Sequence, residues 1–249
     1  MTSVAPEKDK SKVHKLSLKG SAKLVAEFFQ YSIHTILFQR GVYPAEDFTA
    51  VKKYGLNMLV SSDDQVRAYI KKIMTQLDKW MVGGKVSKLV IVITDKDTGE
   101  HVERWQFDVQ ILAKPKSKSS SKSKPSSTTS GGADQENAPS HADSENSRAA
   151  AAPPPPAADK TEAEIQAEIA AIFRQITASV TFLPQLPGGH GGCTFNVLVY
   201  VDDAETVEVP VEWGDSDAKE IANGERVQLR GFSTHCHRVD TLVSYRLAD

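Results

Sequence analysis

Hydrophobic residues recur at helical spacing in three separate segments of the chain. Apolar residues three or four positions apart lie on one face of an α-helix, so each segment predicts an amphipathic helix. The three apolar faces consist of Leu24, Val25, Phe28, Phe29, Ile33, Ile36 and Leu37; of Val66, Tyr69, Ile70, Ile73, Leu77 and Trp80; and of Ile165, Ile169, Ile172, Phe173, Ile176 and Val180.

The ends of these segments carry residues that commonly cap helices. Gly41 suits the left-handed conformation that ends many helices, and Ser62 or Asp63 can cap the second helix. The third helix begins with a capping-box pattern at 161–164 and ends before Pro184, which cannot continue a helix. The capping residues therefore predict where each helix begins or ends.

Two segments between the second and third helices predict a β-hairpin. Residues 87–94 (SKLVIVIT) are mostly apolar, and residues 101–111 (HVERWQFDVQI) alternate between apolar and polar positions. The turn sequence DKDTGE separates them. Because Arg104, Gln106 and Asp108 fall on one face of the second strand, we expect that face to meet solvent.

The C-terminal third predicts three more strands. Residues 193–201 (CTFNVLVYV) are apolar on both faces, which indicates a strand in the middle of a sheet. Residues 225–234 and 237–247 are further strand candidates. Helices and strands come in runs rather than in regular alternation. We therefore predict an α+β fold with three helices on one face of a mainly antiparallel sheet.

Two segments have compositions that cannot support a core. Residues 1–15 repeat lysine with few apolar partners, and residues 113–159 consist mainly of Ser, Lys, Pro, Ala and Gly. Such segments bury too little apolar surface to offset the loss of chain entropy. We therefore predict a disordered N-terminal arm followed by a single domain, residues 16–249, which a disordered insert interrupts at 113–159.

The charge balance argues against a surface adapted to nucleic acid. Thirty Lys and Arg residues stand against 32 Asp and Glu residues, for a formal net charge of −2, so the whole surface does not attract phosphate. The sequence shows no signal-peptide pattern and no apolar run long enough to span a bilayer, and its two cysteines, Cys193 and Cys236, lie far apart. These features predict a reduced intracellular protein that binds neither nucleic acid nor membrane.

Candidate catalytic or metal-binding groups are few. The sequence contains no Gly-rich phosphate loop, nucleophile elbow or zinc-binding helix motif. His235, Cys236 and His237 are adjacent, but consecutive residues of a strand point to opposite faces and cannot all bind one ion. His34 is expected to be exposed on the first helix. The glycines of PGGHGGC precede a strand rather than a helix, so they predict a loop and not a phosphate site. We predict no enzyme activity, metal or cofactor.

Five stretches of the sequence carry a family resemblance: GSAKLVAEFFQYSIHTILFQRGVYP, KYGLNMLV, SKLVIVITDKDTGEHVERWQFD, IFRQITASVTFLP and VQLRGFSTHCHRV. In this order they resemble segments of the HORMA family, and in particular of its spindle checkpoint members. They cover nearly the whole chain outside the arm and the insert. The family joins the RWQFD strand to the third helix by a much shorter connection, so the resemblance says nothing about the insert.

This resemblance implies a fold with an open and a closed form, in which a mobile C-terminal safety belt crosses the sheet and closes over an extended peptide. The implied ligands are segments of the activator of the anaphase-promoting complex and of a coiled-coil kinetochore scaffold. The expected function is inhibition of the anaphase-promoting complex, which delays anaphase until chromosomes attach. Further implied partners are a second copy of the chain in an open–closed dimer, the kinase-like subunit of the mitotic checkpoint complex, and an AAA+ remodeller with its HORMA adaptor.

The resemblance also assigns candidate residues, motif by motif. It implies a self-pairing surface at Arg174, Gln175, Phe182 and Arg230, and it places Leu18 where packing affects the balance between the two forms. The expected peptide-binding edge and belt comprise Phe195, Val197, Val199, Trp213, Val239, Val243 and Tyr245.

Two other functions stay open at the level of sequence. Another HORMA adaptor, such as a translesion polymerase subunit or a meiotic axis protein, would close over a different peptide. A hydrolase using His235 and its neighbours would need a pocket of convergent polar groups, which the sequence does not suggest. For the checkpoint interpretation we expect the protein in the nucleus, at the kinetochore and in the cytoplasm.

Overall fold

The computed structural model describes residues 17–112, 160–202 and 209–247. Its helices are α1 (Leu18–Gln39), α2 (Asp64–Val82) and α3 (Glu162–Ala178). Its strands are β1 (Phe48–Lys53), β2 (Leu56–Ser61), β3 (Val86–Asp95), β4 (His101–Ile111), β5 (Cys193–Val201), β6 (Glu225–Gln228), β7 (Phe232–Ser233) and β8 (His237–Tyr245). The predicted arm at 1–15 and the predicted insert at 113–159 lie outside the described residues.

One antiparallel sheet organises the fold. Its strand order is β5-β3-β4-β8-β6, and β7 also pairs with β8. The helices cover one face of this sheet, and β1 and β2 form a separate hairpin. The architecture confirms the predicted α+β fold, with helices on one face of a mainly antiparallel sheet.

The helix ends follow the predicted caps. The Asp63 side chain accepts a hydrogen bond from the Val66 backbone N–H (2.8 Å), so Asp63 rather than Ser62 is the cap of α2. The capping box at the start of α3 is complete, and Gly41 after α1 has a φ of +64°. Val180 does not continue α3 as predicted, because the chain tightens there into a 3-10 turn at Ser179–Thr181 and exposes its side chain.

Phe28 of α1 lies at the centre of the core. Its ring is 5.7 Å from that of Phe107 on β4, 5.4 Å from that of Phe173 on α3 and 4.9 Å from that of Phe232 on β7. Aromatic rings in edge or tilted contact add attraction beyond the burial of their area. One α1 residue therefore packs against segments that precede residues 113–159 in the chain and against segments that follow them.

His34 is buried, contrary to the sequence prediction. Its side chain is 2% exposed, and its Nδ1 accepts a hydrogen bond from the Ser61 backbone N–H at 3.3 Å. The β1–β2 hairpin covers the side of α1 that hydrophobic periodicity assigned to solvent. The sequence of this hairpin gives no clear strand signal, so periodicity alone could not predict that it covers His34. None of the described helices is long and apolar enough to cross a membrane.

Candidate functional site

β5 is an edge strand, and its outer edge pairs with no other described strand. The sequence prediction that residues 193–201 lie in the middle of a sheet is therefore wrong for this structure. Residues 197–201 of β5 are only half-buried, although this part of the strand is almost entirely apolar. An apolar strand with free backbone N–H and C=O groups is a template for a further strand.

Aromatic side chains line the helix-facing side of this edge. The Phe195 ring lies 6.3 Å from the ring of Tyr43 and 5.6 Å from that of Tyr69 on α2. Burial raises the pKa of both tyrosine hydroxyls, so both stay neutral and can donate hydrogen bonds. Val197 and Val199 extend the apolar surface along β5. This side of the edge therefore offers apolar contacts and hydroxyl groups to an added strand.

Residues 209–224, here called the crossing segment, first contact the helix side of the sheet. The Trp213 ring lies 5.0 Å from that of Trp80 on α2, nearly edge-on. One residue earlier, Glu212 forms an ion pair with Lys72 of the same helix (3.4 Å). Both contacts place the start of the crossing segment over α2.

The same segment then contacts the opposite face of the sheet. The Nε of Arg104, on the face of β4 away from the helices, donates to the Ala218 carbonyl at 3.2 Å. Ala218 follows Trp213 by five positions, a reach of at most ~18 Å. Because α2 lies over β3 and β5, a path around the bare edge of β5 would join the two contacts. On this path the crossing segment would encircle the space where an added strand would lie.

The last strands are docked on the far side of the sheet from β5. β8 pairs with β4 over nine positions, from Glu103 opposite Tyr245 to Ile111 opposite His237. Val239 and Val243 are fully buried against the helices. Of the predicted edge and belt residues, Val239, Val243 and Tyr245 therefore do not line the β5 edge. They hold the C-terminal segment onto β4.

A chain of buried hydroxyls connects the docked strands to the start of α1. Thr234 Oγ1 accepts from the backbone N–H of Cys236 (3.1 Å) and of His237 (2.8 Å), donates to the His237 carbonyl (3.2 Å), and lies 2.6 Å from Ser21 Oγ. Ser21 Oγ is also hydrogen-bonded to His237 Nδ1 at 2.7 Å, and the tautomer of the imidazole decides which of these two atoms donates. Burial lowers the pKa of His237, consistent with this arrangement.

The neighbouring His235 is exposed. Within residues 17–112, 160–202 and 209–247, no three His, Cys, Asp or Glu side chains converge as a metal site.

Of the four predicted self-pairing residues, Arg174 and Gln175 lie on α3, Phe182 follows the 3-10 turn after α3, and Arg230 lies between β6 and β7. Arg174 is exposed on α3, and the neighbouring Gln175 accepts a hydrogen bond from the Arg230 backbone N–H (2.7 Å). Phe182, 41% exposed, has its ring 6.2 Å from that of Tyr245. Leu18 lies in the first turn of α1, where it is half-buried.

Several residues of this site escaped sequence reasoning. Tyr43 lies in a segment without periodicity, and Lys72 has the spacing of an ordinary exposed helix residue. Arg104 belongs to the face that alternation assigned to solvent, yet it is buried. The alternation of polar and apolar residues in β4 gives no signal that a distant segment covers Arg104.

Comparisons with known proteins agree with this geometry. The family model described as HORMA domain matches residues 21–237. The mitotic spindle checkpoint component mad2 of Schizosaccharomyces pombe is 48% identical, over 93% of this chain and 94% of that protein. The human mitotic spindle assembly checkpoint protein MAD2A is 37% identical, over 93% of each chain.

Solved structures extend the comparison. A chain in a crystal structure of the mitotic checkpoint complex matches with a TM-score of 0.69 and 45% identity, covering 92% of this chain and 99% of that one. HTP-2 of C. elegans, solved bound to a HIM-3 closure motif, matches with a TM-score of 0.64 over 96% of this chain and 98% of that one. At 15% identity, the second match shows a shared fold alone.

Proposed function

This chain belongs to the HORMA domain family, among its spindle checkpoint proteins, and we propose that it acts there by enclosing an extended peptide between β5 and the crossing segment. The observation that carries this proposal is the bare, apolar edge of β5 beneath a chain segment anchored on both faces of the sheet. A peptide entering this space would add a strand to β5.

Capture by strand addition combines two kinds of contact. Main-chain hydrogen bonds to β5 supply affinity that depends little on sequence, and alternate side chains of the peptide supply specificity. One row of these side chains would face Tyr43, Tyr69 and Phe195, and Trp213 would lie close to it. We therefore propose Phe195, Val197 and Val199 as the peptide-binding surface and Trp213 as part of its cover.

The position of the C-terminal strands fits the closed form that the resemblance implies. β8 is docked on β4, and the edge of β5 is left free. In the proposed open form the C-terminal strands would occupy the β5 edge instead, so they and the peptide would compete for the same backbone groups. Leu18 would influence this balance through the packing of the first turn of α1.

We propose as ligands the activator of the anaphase-promoting complex and a coiled-coil kinetochore scaffold. Capture of the activator would restrain the complex and delay anaphase, at the kinetochore and elsewhere in the nucleus and cytoplasm. The kinase-like checkpoint subunit and an AAA+ remodeller with its HORMA adaptor are the further proposed partners. In this role the protein is an adaptor and not an enzyme. The nearly full-length identity to checkpoint relatives supports this function over a translesion or meiotic one.

Hydrogen exchange tests the proposed capture site. A labelled peptide would first be selected from a displayed library for binding to the full-length chain, and is called the selected peptide below. We expect it to slow exchange at alternate backbone amides of Cys193–Val201, because an added strand bonds every second residue. β6 is the matched control, since it forms the other end of the sheet and pairs only with β8. Protection at β6 instead of β5, or failure to select any peptide, would contradict the proposal.

We also propose that Arg174, Gln175, Phe182 and Arg230 form the surface on which an open and a closed copy pair. Arg174→Ala should weaken this association about 10- to 30-fold, because exposed arginines often anchor interfaces. Sedimentation velocity with mixtures of the two forms measures the effect. Arg67→Ala, an exposed arginine on α2, is the matched control. Unchanged pairing by the Arg174 variant would remove this residue from the interface.

A further inference from the structure

Arg104 is a buried cation on the face of the sheet that has no helices. Its side chain is 2% exposed, although its neighbours on β4 alternate as if this face met solvent. The crossing segment covers it, as the hydrogen bond to the Ala218 carbonyl shows. A charge removed from water in this way needs partners that compensate for the lost hydration.

Most of the compensation comes from the crossing segment. Besides the bond from Nε to Ala218, Nη2 lies 3.4 Å from the Glu220 carboxylate and forms no hydrogen bond of good geometry. Only Nη1 has a partner within the same strand, the side-chain oxygen of Gln106 at 2.6 Å. Glu220 also lies 3.6 Å from Arg226 on β6, so its carboxylate is shared between two cations.

The rest of this face does not depend on the crossing segment. The Gln106 amide donates to both carboxylate oxygens of Asp108 (2.9 Å each), and Asp108 forms an ion pair with Lys88 on β3 at 3.7 Å. These contacts stay within β3 and β4. Lifting the crossing segment would therefore remove the Ala218 and Glu220 partners of Arg104 and leave the contacts among Gln106, Asp108 and Lys88 in place.

We propose that Arg104 is a positioning residue that holds the crossing segment against the sheet and thereby sets how long an enclosed peptide stays bound. This inference rests on the proposed capture of a peptide at β5. Arg104 does not reach the β5 edge, because β3 lies between them. Its effect must pass through Ala218 and Glu220, which close the far side of the encircled space.

The release rate of the selected peptide tests this inference. Arg104→Met should release the preloaded peptide about 10- to 100-fold faster, because truncating one partner of a buried charged contact acts mainly on dissociation. Arg238→Met is the matched control. Arg238 pairs with Asp240, two residues away on its own strand, rather than with the crossing segment. The control should release the peptide at the wild-type rate.

A double-mutant cycle separates positioning from a general loss of packing. Glu220→Gln changes an exposed side chain and should leave the unfolding midpoint unchanged. If Arg104 acts through Glu220, the double variant should release the peptide no faster than Arg104→Met alone. Fully additive effects, or normal release by Arg104→Met, would overturn the inference. Failure of the wild-type chain to retain the peptide would instead contradict the proposed capture itself.

Discussion

Cutting the chain between β5 and the crossing segment is expected to release an enclosed peptide ~100-fold faster or more. In the uncut chain the enclosed peptide would lie inside a loop of the polypeptide. One end of this loop is joined covalently to β5, and the other end is held by the pairing of β8 with β4. Release then requires the docked strands to detach. After the cut, the start of the crossing segment can move aside by breaking local contacts, chiefly Trp213 with Trp80 and Glu212 with Lys72. Before release begins, the cut chain and the uncut chain make the same noncovalent contacts with the peptide.

The experiment needs a protease site in place of residues 203–208 and a fluorescent form of the selected peptide. The peptide is loaded first, the protease is added next, and dissociation is followed in excess unlabelled peptide. The matched control is a variant in which the residues of the protease site stand in scrambled order, so that the same protease does not cut it. Circular dichroism of both samples checks that the helices survive. Release at the control rate after complete cleavage would show that enclosure does not retain the peptide.

His34 should make the protein lose stability as the pH falls. Burial, together with the nearby Arg67, lowers the pKa of His34 from 6.5 to about 4 in the folded state. The unfolded chain therefore binds a proton at this site at higher pH than the folded chain does. The contribution of the neutral imidazole is complete above pH 6.5 and is lost as the pH falls toward 4, by roughly 3 kcal/mol over the whole range.

Urea unfolding of wild type and His34→Gln at several pH values between 7 and 4 measures this dependence. The glutamine side-chain oxygen can still accept from the Ser61 N–H but does not titrate, so the variant should show a flatter profile. His237 is also buried and also has a lowered pKa, so part of the dependence will persist in the His34 variant. Parallel profiles for wild type and His34→Gln would contradict the prediction.

Local signals were enough to predict the helices and the central hairpin. Asp63, Thr161 and Gly41 cap their helices through contacts within a few residues, and the alternation in β4 follows directly from the pleat of a strand. Such features depend on neighbouring residues, which a sequence displays. The order of the strands in the sheet depends on contacts between distant segments, and periodicity contains no information about it.

The wrong predictions share this physical origin. Apolar residues on both faces of β5 indicated a central strand, but among the described strands β5 pairs with β3 alone. Arg104 and His34 were assigned to solvent because hydrophobic pattern cannot show that a distant segment covers a polar position. In all three cases the burial of a residue is decided by long-range contacts. Two of these positions, β5 and Arg104, belong to the proposed capture site.

The ladder between β4 and β8 also restricts how the C-terminal strands can change position. Sliding β8 by one residue would turn Val239 and Val243 out of the core and bring Arg238 into it, because side chains alternate along a strand. Movement of β8 along β4 one residue at a time would therefore pass through states of high energy. An exchange between the two proposed forms must detach the whole ladder, which places a barrier between them. A partner that speeds the exchange without altering the populations of the two forms would have to lower this barrier, by pulling on β8 or by binding the detached strand.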